Sequence, residues 1–267
     1  MFHSQLKPSR SFRSSPLLLY YPFVPRLLKH LALFAVLAQL PAPLAPAIQR
    51  FEARYHSSAA LQATFLETYR ENGRMARAEA GLVYFRRPGR MRWEYDSPEK
   101  NLFLVDGKWA WFYVPADHTV TRVTAKRSND WRTPLALLAD NPKLSKVCSQ
   151  VAPSVTVAPD DPGDVVLFCL LRGSKPVASG SRASANSPKG LEARAAAQGD
   201  AVFLELQPQT GVLSRVLVTQ PGGVSIEFKF TRWLFNPPLP ESLFHFDPPR
   251  GVAIVNGDLS SENAPAK

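Results

Sequence analysis

From Leu61 onward apolar and polar positions alternate, so that Leu61, Ala63 and Phe65 share one side of a strand. Asn72-Gly73 then closes a hairpin. The return strand is predicted over about 76–87, and Pro88-Gly89 turns the chain again. Met91, Trp93 and Tyr95 next alternate with Arg92 and Glu94. Ser97-Pro98 makes another turn, 101–105 is an apolar strand, and Asp106-Gly107 leads into a strand over 109–114. Trp109, Trp111 and Tyr113 share one face of that strand. Further strands are predicted at 144–151, 165–172, 201–207, 212–219 and 223–232.

Helical spacing shows in two places. Ile48, Phe51 and Tyr55 mark a short amphipathic helix over 48–59. In WRTPLALLAD (131–140), Thr133 suits a cap, Pro134 suits the first helical position, and Leu135, Leu137 and Leu138 form an apolar side. The pattern therefore predicts a mainly β protein: one large antiparallel sheet with two or three short helices packed on it.

Charge separates the N-terminus from the rest. The chain has 267 residues and a formal net charge of +10. Half of that charge lies in 1–47, which holds Lys7, Arg10, Arg13, Arg26 and Lys29 and no acid. Arg26 and Lys29 precede LALFAVLAQL (31–40), a run too short to span a bilayer as a helix. Ala45-Pro46-Ala47 then supplies the small residues of a cleavage site. Residues 1–47 are expected to be a signal peptide cleaved near Ala47, with an uncleaved anchor as the alternative. The remainder is only mildly basic, which argues against a nucleic-acid partner. One domain is expected over 48–256. It carries a flexible Ser/Ala/Gly/Pro-rich insertion at 173–200 and ends in a disordered tail, 257–267.

Export gives meaning to Cys148 and Cys169. They lie in two strand-like runs separated by APDDPGD, so a hairpin pairing sets them nearly opposite one another. An exported chain allows a disulfide there. The other reading is a pair of small buried hydrophobes. No His lies near either, so no metal site is expected.

Catalytic patterns are absent. The chain has no G-x-S-x-G, H-E-x-x-H, Walker loop or G-x-G-x-x-G. His56, His118 and His245 are each isolated from any Cys or second His. No enzyme and no cofactor is expected. The unusual feature is RRPGRMRWEYDSPEKNLFLVDGKWAWFYVP (86–115), which holds seven aromatic residues and three of the five tryptophans. Its rings are either a core against the helices or the wall of an apolar pocket.

That stretch resembles the signature region of the periplasmic outer-membrane lipoprotein carrier (LolA) family. ALQATFLETY (60–69) resembles the family's first strand, with Glu67 in place of the usual Gln. TPLALL (133–138) resembles its lid helix, and FHFDPPRGVAIV (244–255) its C-terminal ending. The resemblance implies an incomplete antiparallel β-barrel of about eleven strands closed by a helical lid. Its concave wall would bind acyl chains through Phe65, Met91, Trp93, Tyr95, Trp109, Trp111, Tyr113, Leu135 and Leu138. Arg87, beside Pro88, would latch the lid by donating to backbone carbonyls of the lid helices. Arg86 competes for that role, and a solvent-facing strand-end arginine is the plain alternative.

By the same resemblance, the protein would be a monomeric periplasmic chaperone for acylated lipoproteins. An inner-membrane ABC-type release complex would load it, and an outer-membrane receptor lipoprotein would unload it. The alternative is an exported lipid or lipopeptide sensor that regulates an envelope partner.

Overall fold

The computed structural model describes residues 44–127, 133–140, 142–173 and 187–257. The chain opens with helix α1 (Leu44–His56) and strands β1 (Ala60–Glu71), β2 (Arg74–Arg86), β3 (Arg90–Ser97), β4 (Asn101–Val105), β5 (Trp109–Val114) and β6 (Thr119–Thr124). A 3-10 helix (Thr133–Leu138) and a single turn, α2 (Leu144–Val147), lead to β7 (Cys148–Pro153) and β8 (Val165–Leu171). Helix α3 (Pro188–Gln198) precedes β9 (Ala201–Leu206), β10 (Leu213–Gln220), β11 (Val224–Phe235) and the short β12 (Ala253–Asn256).

All twelve strands join one sheet in the order β12-β6-β5-β4-β3-β2-β1-β11-β10-β9-β8-β7. Neighbours pair antiparallel, except that β12 runs parallel to β6. The end strands β12 and β7 do not meet, so the barrel is incomplete. Its curvature shows in one contact. Trp93 on β3 and Phe228 on β11 have ring centroids 5.2 Å apart, although β2 and β1 lie between their strands. In a flat sheet three strand spacings would separate them by about 14 Å.

The concave side holds the main core. There α1 inserts Ala47, Phe51 and Tyr55, and the 3-10 segment inserts Leu135, Leu137 and Leu138. The convex side is covered twice. Leu239, Leu243, Phe244, Phe246 and Val252 from the C-terminal segment pack over β4 to β6, and α3 packs over β8 and β9.

Two boundaries differ from the sequence expectation. Helix α1 begins at Leu44, and Ala47 is fully buried, because Ala47, Phe51 and Tyr55 recur at four-residue spacing on the inward face. A domain edge at 47/48 therefore falls inside a packed helix. The apolar run at 31–40 and the tail beyond Gly257 lie outside the described residues. The insertion at 173–200 is not loop throughout. Pro188–Gln198 is a helix, with Pro188 in its first turn. The Ser187 hydroxyl accepts from Gly190 N at 3.1 Å, and Gly199 ends the helix in the left-handed region. The low content of bulky residues reflects a helix that packs mainly through alanines.

Cys148 and Cys169 form a disulfide with Cα atoms 5.4 Å apart, joining β7 to β8 across a bulge. Both sulfurs face the main core, and Cys148 directly follows α2, so the bridge fixes the end of the lid segment. For a loop of 21 residues, chain-entropy reasoning gives about 3 kcal/mol. A Cys148→Ala/Cys169→Ala variant should lose about that much in urea unfolding. An unchanged midpoint would contradict the assignment.

Candidate binding wall and lid latch

The concave wall is built from strand residues of one parity. Phe65, Phe85, Met91, Trp93, Tyr95, Phe228 and Phe230 all face it and are at most 4 % exposed. Most of the rings meet edge-on or tilted, and Phe228 stacks on Phe230. Phe65 lies 4.8 Å from Trp93 and 5.1 Å from Tyr95, and Phe230 lies 5.3 Å from Trp233. One polar pair sits among them: the Tyr95 hydroxyl donates to Glu67 Oε2 at 2.6 Å.

Trp109, Trp111 and Tyr113 do not belong to this wall, contrary to expectation. They face the convex side with Leu102, Leu104, Phe244 and Phe246. The register explains the error. Phe103 pairs with Phe112, and Val105 with Ala110, so Ala110 and Phe112 are the inward residues of β5. The outward tryptophans are held locally. Trp111 Nε1 donates to Asp106 Oδ2 at 2.8 Å, and the Arg122 guanidinium lies 4.5 Å from the Trp109 ring centroid.

Sequence reasoning missed Trp233 and Phe235. A bulge at Thr231–Arg232, with Arg232 at φ 54°, switches the parity of β11, so the wall continues from Phe228 and Phe230 to Trp233 and Phe235. The signal was present as a five-residue run, FTRWL, in which the alternation slips by one.

The lid covers this wall. Tyr55 of α1 packs edge-on against Trp233 at 5.4 Å and Phe235 at 5.5 Å. Its hydroxyl accepts from Leu213 N at 3.1 Å, and burial raises its pKa above the usual phenol value. Leu135 and Leu138 are each 1 % exposed. Most of the wall is thus shielded from water, while Trp233 and Phe235 at its end are only partly buried.

Arg87 holds α1 down. Its Nη1 donates to His56 O at 2.6 Å and its Nη2 to Tyr55 O, the last carbonyls of the helix. Its own N–H donates to Ala59 O at 3.0 Å. Those carbonyls carry the negative end of the helix dipole, which suits a cation. Burial lowers the guanidinium pKa, partly offset by the Asp140 carboxylate. Two residues on, Gly89 N donates to Ala139 O at 2.8 Å, so the β2–β3 turn also grips the end of the 3-10 segment. Arg86 points the other way: its Nη1 donates to Leu239 O at 2.8 Å, and its Nη2 pairs with Glu241 at 2.8 Å. With Arg90 and Arg92 it fastens the convex C-terminal segment instead.

Residues 56–158, which include β1 to β7 and the Arg87 turn, match the model of the outer membrane lipoprotein carrier protein LolA. A protein of Chromobacterium violaceum named outer-membrane lipoprotein carrier protein is 29 % identical over 229 residues, spanning 84 % of this chain and 95 % of its own. Over that region the chain is similar to the LolA family. A second relative of the same name, from Nitrosomonas europaea, is 37 % identical over 104 residues, covering 38 % of this chain and 49 % of its own. Among solved structures, an uncharacterized conserved protein from Thermus thermophilus covers 79 % of this chain and 97 % of its own at 14 % identity and TM-score 0.46. A LolA superfamily protein from Nitrosomonas europaea covers 78 % and 98 % at 9 % identity and TM-score 0.38. The ring wall lies under α1 and the 3-10 segment, whose described contacts with the sheet are mostly apolar burial and a few backbone-directed hydrogen bonds. No group of His, Cys, Asp or Glu suited to a metal ion occurs among the described residues.

Proposed function

We propose that this protein is a periplasmic carrier that takes acylated lipoproteins from the inner membrane and delivers them to the outer membrane. One observation carries the reading: a curved, ring-lined wall is covered by a short helix whose last carbonyls are held by Arg87. An acyl chain of about 16 carbons costs on the order of 12 kcal/mol to expose to water. Crossing an aqueous compartment requires covering it.

The lid supplies the reversibility. Phe51, Tyr55, Leu135 and Leu138 occupy the wall in the closed form. Cargo must displace them, and they reclaim the wall on release. Each apolar side chain exchanged is worth about 1.5–3 kcal/mol, so the two states lie close in free energy. The site then needs no cofactor and no bond chemistry. Direction comes from partners, an ABC-type release complex on the donor side and a receptor lipoprotein on the acceptor side.

The test is release from spheroplasts. Purified exported protein is incubated with them, and the supernatant is probed for acylated lipoproteins bound to it. Bound lipoproteins are the expected result. Supernatant free of lipoproteins, with lipid still found in the purified protein, would shift the reading to a lipid sensor.

A further inference from the structure

The ring wall contains one polar hydrogen without an acceptor. Trp93 is fully buried, and its Nε1–H has no hydrogen-bond partner among the described residues. Rings surround it: Phe65 at 4.8 Å, Phe228 at 5.2 Å, Phe85 at 6.1 Å and Phe230 at 6.2 Å between centroids. Two other indoles packed on the sheet are satisfied. Trp111 donates to Asp106, and Trp233 donates to Leu213 O at 2.7 Å. The nearby Tyr95 hydroxyl donates to Glu67.

A buried donor left unpaired carries its full desolvation penalty. A phenylalanine would supply ring area without that penalty. We propose that the Trp93 indole N–H recognises the cargo lipid by donating to the neutral carbonyl of an ester-linked acyl chain seated on the wall. The proposal rests on the carrier reading and narrows its ligand.

Chemistry selects the acceptor. A plain hydrocarbon offers none. A free fatty acid offers a carboxylate, but its charge would enter a ring-lined space that already holds the buried Glu67 side chain, another acid. An ester carbonyl accepts a hydrogen bond and carries no charge, so it can be buried among rings. One N–H then marks where the head of the chain stops, and the rings beyond it accept methylene groups of any sequence.

The experiment pairs Trp93→Phe with two probes, dioctanoylglycerol and its dialkyl ether, which lacks the carbonyls. Binding is read by displacement of a hydrophobic dye. The native protein should prefer ester to ether by about five- to tenfold, and the variant should show almost no preference. Lost ring volume affects both probes alike, so only the hydrogen bond changes the ratio. In 15N-labelled native protein the Trp93 indole resonance should move downfield with the ester and stay with the ether. That measurement serves even if the variant folds poorly.

Equal binding of both probes by the native protein, or an unmoved indole resonance, would overturn ester recognition and leave the carrier reading standing. The N–H would then rest on a neighbouring ring face. The same ester preference in protein and variant overturns it as well. Binding of neither probe would overturn both readings.

Discussion

Arg87→Leu should leave the sheet folded and let the lid open. Two charge-assisted hydrogen bonds to the end of α1 are lost, and leucine offers no replacement donor. Such bonds contribute about 1.5–3 kcal/mol each. Partial exposure of the guanidinium trims the sum to roughly 4 kcal/mol, a shift of several hundredfold in the closed-to-open ratio. Hydrophobic dye should enter faster, and amide exchange over Phe51–His56 should accelerate while β1 and β2 stay protected. Arg87→Lys should fall between, because an ammonium keeps the charge but cannot span two carbonyls as a fork does. Unchanged dye entry together with unchanged lipoprotein transfer would remove Arg87 from the lid mechanism.

Much of this site is legible in the sequence, and the illegible parts share a cause. Met91, Trp93 and Tyr95 alternate with Arg92 and Glu94, so their common face follows from the pleat. Which face β5 turns inward does not follow. Trp109-Ala-Trp-Phe-Tyr has no polar parity, and β4 before it is buried at every position. Only the register decides, and register is a tertiary fact. Arg86 and Arg87 also diverge: Arg86 is the last residue of β2 and Arg87 the first of the turn, and local sequence does not name the side each takes. Helix α3 was readable from its ends, Ser187-Pro188 and Gly199, but composition masked it.

The wall and the latch are coupled through one helix. Tyr55 contributes a ring and a hydroxyl to the wall side and its carbonyl to Arg87. Lifting α1 breaks all three together. On the proposed carrier reading, opening is therefore cooperative, and cargo is either fully protected or given up.

A second grip on α1 lies at the β9–β10 turn, and Gly211→Ala should break it. Arg50 Nη1 donates to Pro208 O at 2.9 Å, and Arg54 Nε donates to Thr210 O at 2.6 Å. Gly211 lies directly against the helix. A Cβ there would meet Arg50 C and Phe51 N at 2.4 Å, and Gly211 has φ +70°. Both contacts are backbone, which no side-chain rotation relieves. The left-handed conformation costs alanine about 1–2 kcal/mol, and overpacking adds about 1–3. Gly73→Ala isolates the first cost, since Gly73 has φ +78° and nothing within 4 Å of its added Cβ. Gly211→Ala should therefore exceed Gly73→Ala by about 1–3 kcal/mol in urea unfolding. It alone should speed exchange in α1 and dye entry, because the strain relaxes most readily by moving the helix and not the sheet. If the two alanines prove equal in both measurements, the turn does not hold the lid. If Gly211→Ala also raises dye entry as Arg87→Leu does, α1 is fastened from two separate turns, and loss of either grip can release it.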